Sequence, residues 1–414
     1  MKIIVHGGGA QIGGTCIEVA AGKTRLILDC GWPLESDDNP TPPAVPGLFA
    51  RGTRPDAVLL THAHPDHTGF ITEMPPDVPI HATVGTSKMM LAGSYYTPNG
   101  VKIPRDRFCE VAVPKPREAS RSFPIGDLNV TAYPVDHSAY DSVAYLVEHG
   151  GKRVLYTGDL RFHGRKPGMS QRLSRELRGK LDLLITEGTN VGRASAGLRA
   201  EAEVEARALE VARAHPSLVM VAFSPQNIDR FVSFYRAAKR AGRTFVGDHY
   251  LLGVLHLLAL RSLPKPGIAD DLRFYFPKKR NRIAKIEPFA GERTITRDEI
   301  LAEPHRYIML TRPSILRDFA GVLPPKTQVL YGMWSGYRER PDWREAEAMI
   351  ADAGGEIASC HASGHAHELP LFSFIGELEP AKILPVHTTS QVIFQQRFGA
   401  KCIAACDAQY TVEL

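Results

Sequence analysis

The sequence predicts an α/β protein in which a β-rich domain is interrupted by an α/β insertion. Three observations carry that expectation. Short apolar segments bounded by glycine, proline and aspartate fill the N-terminal part, the pattern of strands and tight turns. The middle of the chain changes to amphipathic stretches alternating with apolar ones, the order of a parallel βαβ unit. Beyond it strand-like segments resume, and on both sides of the insertion they run into histidine or aspartate.

Lys2–Val5 is the first strand and meets a glycine bend at Gly7–Gly9. Thr15–Val19 and Leu26–Asp29 follow, joined by a turn at Gly22 and Lys23, and Pro33–Pro46 is a loop. Ala57–Leu60 is a short buried strand, being a continuous apolar run, and Thr86–Ala92 is helical. Leu128–Tyr133, Ser142–Val147, Val154–Tyr156 and Leu183–Thr186 complete the strands of this part. In the insertion, Leu198–Ala214 and Ile228–Ala241 are amphipathic helices, with Leu218–Phe223 and Thr244–Val246 as strands. Pro264–Arg293 is rich in proline and basic residues. Then come strands Tyr307–Thr311 and Gln328–Tyr331, helix Trp343–Ala353, strand Glu356–Cys360, helix Leu371–Leu378 and a last strand, Ile383–Val386. The expected domains are 1–190, an insertion at 191–335, and a return to the first domain at 336–414.

With 43% hydrophobic and 23% charged residues, the chain is globular rather than disordered or fibrous. Leu251–Leu260 is interrupted by Gly253 and His256 and is too short to span a bilayer. Lys2–Val5 runs into glycines rather than a signal-peptide core. A cytoplasmic protein without a membrane partner is therefore expected. A net charge of +5 is compatible with a polyanionic partner. Cys16, Cys30, Cys109, Cys360, Cys402 and Cys406 are scattered and read as buried or free thiols.

The sharpest chemical signal is Thr61-His62-Ala63-His64-Pro65-Asp66-His67, at the end of a strand. Imidazole and carboxylate are what divalent zinc or manganese accepts at neutral pH, and burying four such groups together without an ion is costly. His62 and His64, two apart in extended backbone, point one way, whereas Asp66 and His67 turn toward a neighbouring position. One motif can thus serve two adjacent ions. Further ligand types follow strands at His137, Asp159 and His387.

This pattern resembles the metallo-β-lactamase fold hydrolases, with their His-x-His-x-Asp-His motif and later His, Asp and His ligands. The resemblance implies an αββα sandwich as the main domain. It assigns His62, His64 and His137 to one ion, Asp66, His67 and His387 to the other, Asp159 as the bridge, and Asp29 as a residue orienting ligands from behind. Thr186-Glu187-Gly188-Thr189 and His361-Ala362-Ser363-Gly364-His365-Ala366 look like the additional motifs of the β-CASP nucleases. A histidine at 387 is the pattern of the RNA-processing members. Phe223–Arg230 is similar to the insertion of the RNase J group, although Pro225 and Gln226 separate Ser224 from Asn227 where that group has Ser-Asn-x-x-Arg.

The resemblance implies a ribonuclease with two Zn2+ (or Mn2+) ions, acting on single-stranded RNA and leaving 5′-phosphate and 3′-hydroxyl ends. The alternatives are a DNA nuclease of the same architecture or a small-molecule metallo-hydrolase, such as a thiolesterase or cyclic-nucleotide phosphodiesterase. Asp66, His365 and Glu187 are the expected catalytic residues, with Ser363, Gly364, Asn227 and Arg230 on substrate phosphate. Phe274 and Tyr275 beside Lys278, Lys279, Arg280 and Arg282 are the expected nucleic-acid channel, mixing stacking faces with cations. The oligomeric state is open, a homodimer included.

Overall fold

The computed structural model describes residues 1–34, 40–97, 103, 105–114, 118, 120–194, 198–277, 286–404 and 410–414. Its strands are β1 (Lys2–Gly7), β2 (Cys16–Ala21), β3 (Thr24–Leu28), β4 (Ala57–Leu59), β5 (Ile80–Thr83), β6 (Phe108–Val111), β7 (Ser122–Ile125), β8 (Leu128–Pro134), β9 (Val143–His149), β10 (Lys152–Tyr156) and β11 (Leu183–Thr186). Then come β12 (Val219–Ala222), β13 (Thr244–Asp248), β14 (Leu272–Tyr275), β15 (Thr294–Ile295), β16 (Tyr307–Thr311), β17 (Gln328–Tyr331), β18 (Glu356–Ser359), β19 (Lys382–Pro385) and β20 (Tyr410–Glu413). The helices are α1 (Pro65–Thr68), α2 (Val84–Tyr96), α3 (Gly168–Leu177), α4 (Glu201–Ala214), α5 (Ile228–Arg240), α6 (His249–Leu258), α7 (Arg297–Ala302), α8 (Pro313–Leu316), α9 (Pro341–Asp352), α10 (Glu368–Leu378) and α11 (Gln391–Phe398).

Two compact units divide the chain. One comprises Met1–Ser94, Pro98–Ser195 and Gly364–Leu414; the other comprises Tyr95–Thr97 and Ala196–Ser363. The first unit stacks a sheet of order β20-β1-β2-β3-β4-β5-β6 on a second of order β19-β11-β10-β9-β8-β7. Val5, Val19, Leu28 and Leu59 of one sheet and Val130, Tyr145, Val154 and Ile185 of the other share a fully buried core. The outer face of the second sheet is covered by α3, α10 and α11, through Leu173, Leu371, Ile375 and Phe394. Ile71, Met74 and Met90 cover the outer face of the first. Central strands are therefore buried on both faces. That is why Val143–Val147 reads as an unbroken apolar run although successive side chains serve different layers. The arrangement is the αββα sandwich.

The second unit is one parallel sheet of order β15-β14-β13-β16-β12-β17-β18 with helices packed on it. Its last strands correct the expected boundary at 335/336. β18 pairs in parallel with β17, and Trp343, Ala346 and Ile350 of α9 pack on Val329 and Tyr331, so residues through Ser363 belong to this unit. Among the described residues, no helix is long and apolar enough to cross a membrane.

Candidate metal centre

Every proposed ligand sits just past the carboxyl end of a strand of the first unit. His62 follows β4, with Asp66 and His67 on the short helix α1; His137 follows β8, Asp159 follows β10 and His387 follows β19. Parallel pairing of β10 with β11 and of β11 with β19 brings Asp159, Glu187 and His387 to one edge of the second sheet. Asp29 and His387 hold positive φ angles of 60° and 53°, a conformation that non-glycine residues adopt at a cost and that the surrounding structure must fix. Gly31 passes so close to the Asp66 carbonyl that a Cβ there would overlap it.

Two four-membered donor sets share the Asp159 carboxylate, which also meets Glu187 and His365 in a third group of three. Ligand atoms of His62, His64, His137 and Asp159 form one group, and those of Asp66, His67, Asp159 and His387 the other, each within 4.8 Å of one another. His64 Nδ1 lies 3.2 Å from both His62 Nε2 and His137 Nε2. Three imidazole nitrogens cannot all hydrogen-bond across such a triangle. The spacing matches the roughly 3.3 Å between ligands of a tetrahedral ion with bonds of ~2.0–2.1 Å. In the second set His387 Nε2 is 3.1 Å from Asp66 Oδ2, and His67 Nε2 is 3.2 Å from Asp159 Oδ2. His67 Nε2 and both Asp159 oxygens are buried with no well-formed hydrogen bond among the described residues. Buried donors converging without partners are the condition that a bound cation relieves. The donor set therefore fits two ions, and the unit carries a candidate dinuclear metal site.

The outer nitrogens of four of these imidazoles are anchored, which fixes their tautomers. His67 Nδ1 donates to Asp29 Oδ2 at 2.8 Å, and His137 Nδ1 to the Gly364 carbonyl at 2.6 Å. His62 Nδ1 donates to Thr61 Oγ1 at 3.0 Å, whose own proton goes to Asp29 Oδ2 at 2.8 Å. His387 Nδ1 donates to Thr189 Oγ1 at 2.9 Å. Each is left presenting Nε2 inward, while His64 presents Nδ1. Asp29 also accepts from the Thr61 amide and from Tyr156 Oη, at 2.8 and 2.7 Å. Thr61, Tyr156, Thr189 and the Gly364 carbonyl escaped sequence reasoning, because threonine, tyrosine and a backbone oxygen carry no ligand signature of their own.

Electrostatics agrees with ligand chemistry for His62, His64 and His137, whereas at His67 burial is outweighed by the carboxylates of Asp159 and Asp29, which raise the pKa well above the ordinary value. Burial, then repulsion from neighbouring imidazoles, holds His62 and His137 well below the ordinary histidine pKa. Burial likewise lowers His64, against the pull of Asp66 and Asp159. These rings offer lone pairs at neutral pH. Burial works against the Asp159 carboxylate, but His387, His67 and His365 hold it well below the usual carboxylate range.

His365 and Glu187 meet beside this centre. His365 Nδ1 is 3.1 Å from Glu187 Oε2 and 3.6 Å from Asp159 Oδ2. Glu187 is almost wholly buried, and its other oxygen accepts from the Leu160 amide at 2.8 Å. Burial opposes charge on His365, yet Glu187, then Asp159 and Asp66, raise its pKa to about 9.

The expected substrate contacts fare differently. Arg230 is fully buried in the second unit, where its guanidinium bonds Glu201, the Gly332 carbonyl and the Ala362 carbonyl. Asn227 caps α5, its Oδ1 accepting from the Arg230 amide at 3.0 Å. Both have structural work, and the phosphate role expected of Arg230 gives way to it. Phe274 and Tyr275 are core residues of β14, 0% and 4% exposed, so they form no channel wall. Lys278, Lys279, Arg280 and Arg282 lie outside the described residues, as does Cys406. The remaining five cysteines are free thiols. Ser363 and Gly364 follow β18.

Residues 24–221 match the model of the β-lactamase superfamily domain. Ribonuclease J of Mycobacterium tuberculosis (strain ATCC 25618 / H37Rv) is 27% identical over 98% of this chain and 71% of that protein. Ribonuclease J of Sinorhizobium meliloti is 24% identical over 87% of this chain and 63% of its own length. The transcription termination factor FttA of Methanosarcina mazei is 27% identical over 39% of this chain and 28% of that protein. A crystal structure of a protein of unknown function from Enterococcus faecalis V583 superposes with a TM-score of 0.79 at 20% identity, covering 100% of this chain and 99% of that one.

Proposed function

Because the chain has the metallo-β-lactamase fold and resembles the β-CASP nucleases of the RNase J type, we propose that it is a two-zinc ribonuclease acting on single-stranded RNA. The observation that carries this reading is the sharing of Asp159 between two His/Asp donor sets, with the His365–Glu187 pair alongside. His62, His64 and His137 would hold one ion, Asp66, His67 and His387 the other, and Asp159 both. Nitrogen-rich sets of this kind favour zinc, with manganese a substitute. When bound, paired divalent ions supply an activated water at neutral pH and clamp the non-bridging oxygens of a phosphodiester.

The chain's own residues do the rest. Water adds to phosphorus, the P–O3′ bond breaks, and the leaving 3′ oxygen must gain a proton. His365, held protonated by Glu187, would give it, leaving a 5′-phosphate and a 3′-hydroxyl. Glu187 positions the ring by its contact with Nδ1, so Nε2 is the donating nitrogen. Ser363 and Gly364, adjacent to His365 in sequence, would hold a neighbouring phosphate through hydroxyl and amide.

End-labelled RNA and DNA oligonucleotides bearing 5′-phosphate, triphosphate or hydroxyl test this directly, with zinc or manganese supplied and Asp66→Ala and His365→Ala run in parallel. RNA should be cut by the wild type and far more slowly by both variants. Equal cutting by all three proteins would expose a contaminant and end the reading; cutting of DNA alone would replace the substrate.

A further inference from the structure

Phe274 and Tyr275 belong to the core, so a stacking surface for a single strand has to lie elsewhere, and another aromatic pair of the second unit has the form of one. The parallel sheet ends, at its carboxyl edge, in Phe223-Ser224 after β12, Gly332-Met333-Trp334 after β17 and Cys360–Ser363 after β18, three adjacent strands. That edge is where open parallel sheets present ligand sites. Trp334 is 51% exposed.

An exposed tryptophan on a loop is usually incidental. This one is held. Its ring lies over Gly336, where any Cβ would collide with the indole. Tyr337 packs edge-on against it, with ring centroids 5.4 Å apart and an interplanar angle of 85°. The Arg340 guanidinium in turn lies 4.7 Å from the Tyr337 ring centroid. A pre-set aromatic face loses little conformational freedom when a flat partner settles on it.

We propose that Trp334, backed by Gly336 and Tyr337, is a base-stacking platform for an unpaired nucleotide of a single strand bound on this edge. The inference rests on the ribonuclease reading and names a residue that grips its substrate. Charge on the loop argues for bases rather than phosphates as the contact. Arg338 is tied to Glu347 at 2.6 Å and Arg340 lies against the Tyr337 ring, and Glu339 and Asp342 balance these two cations in the loop's formal charge.

The test measures binding of a phosphorothioate-linked oligouridylate to the zinc-loaded protein by anisotropy, with tryptophan fluorescence read alongside. Of the three tryptophans, Trp343 is buried and Trp32 is half-buried against Gly69 just past the His62–His67 run, so the part of the indole response that disappears in Trp334→Phe reports on Trp334. Trp334→Ala should weaken binding roughly tenfold or more, while Trp334→Phe stays near wild type, because stacking needs only a ring. The salt dependence of binding should be the same in all three proteins, since no phosphate contact is lost. An abasic strand of equal length should neither quench nor distinguish Trp334→Ala from wild type. Unchanged affinity in Trp334→Ala overturns the platform and leaves the ribonuclease reading standing. So does loss of self-association in that variant with RNA binding intact, which would make the face a protein contact. Quenching and base-dependent binding without hydrolysis of ordinary RNA would do the reverse, removing the ribonuclease and keeping the platform.

Discussion

Asp29 Oδ2 lies 2.8 Å from His67 Nδ1, and the same carboxylate collects Thr61 and Tyr156 as well. It touches the rear of one ligand directly and, through Thr61, the rear of His62. One buried acid therefore orients an imidazole in each donor set. Asp29→Asn keeps the shape but can present an amide N–H where His67 needs an acceptor. Metal affinity should fall about 10–100-fold, with activity restored at high zinc. Competition against a chromogenic chelator checks this; wild-type affinity in the variant would mean that Asp29 serves only folding.

Glu201 and Arg230 form a wholly buried ion pair in the insertion. Removing one partner strands the other charge, which typically costs about 3–5 kcal/mol. Glu201→Ala should therefore lower the urea midpoint of the insertion substantially. Cleavage by the protein that remains folded should keep its KM, because Arg230 is a structural residue. A raised KM in folded protein would return Arg230 to the substrate.

These cases show what the sequence could and could not disclose. The ligand cluster was legible because His62, His64, Asp66 and His67 stand together, and because His137, Asp159 and His387 each follow a strand-like run. Chemistry so costly to bury announces itself. Burial is harder to read: Phe274-Tyr275 beside a basic run is equally consistent with a channel or a core strand, and only the parallel pairing of β14 with β13 decides for the core. Arg230 posed the same problem, since its partner Glu201 lies on a different helix. The boundary near 335 was misplaced because α9 and β18 belong to the insertion sheet through pairing with β17, which local pattern cannot reveal. Trp334 lacked any signal until Gly336 was seen beneath its ring.

Glu18 of β2 bonds Arg25 of β3 through both oxygens and His6 of β1 through one, across three adjacent strands of the first sheet. Burial alone would raise its pKa, but hydrogen bonds from Arg25 and then His6 bring it down to about 2. A carboxyl depressed by folding adds stability above its ordinary value of 4.5, and that stability drains away as pH falls toward 2. Glu18→Gln should thus unfold less steeply with acid over this window. Since Arg25 is partly exposed, the loss at neutral pH should be modest, about 1 kcal/mol. Thermal melts across pH 2 to 5 measure it; parallel curves for the two proteins would show that the pair contributes no acid sensitivity.

Glu187 offers the sharpest separation of positioning from chemistry. It touches His365 Nδ1 at 3.1 Å and, with Asp159, keeps that imidazole protonated up to about 9. A raised pKa means the donor form persists at neutral pH and is lost as pH climbs through that value. Removing the Glu187 charge lowers the pKa, so in Glu187→Gln the basic limb of kcat/KM should move to lower pH, with the neutral-pH rate reduced. His365→Ala should remove the group that sets the limb and cost roughly 10²–10⁴-fold in kcat, the usual range for a lost general acid. Metal content must stay at two ions in both variants, since neither residue is required by the two four-ligand sets. A basic limb unmoved in Glu187→Gln would assign it to some other group, and His365 would then be left with binding the scissile phosphate rather than protonating the leaving oxygen.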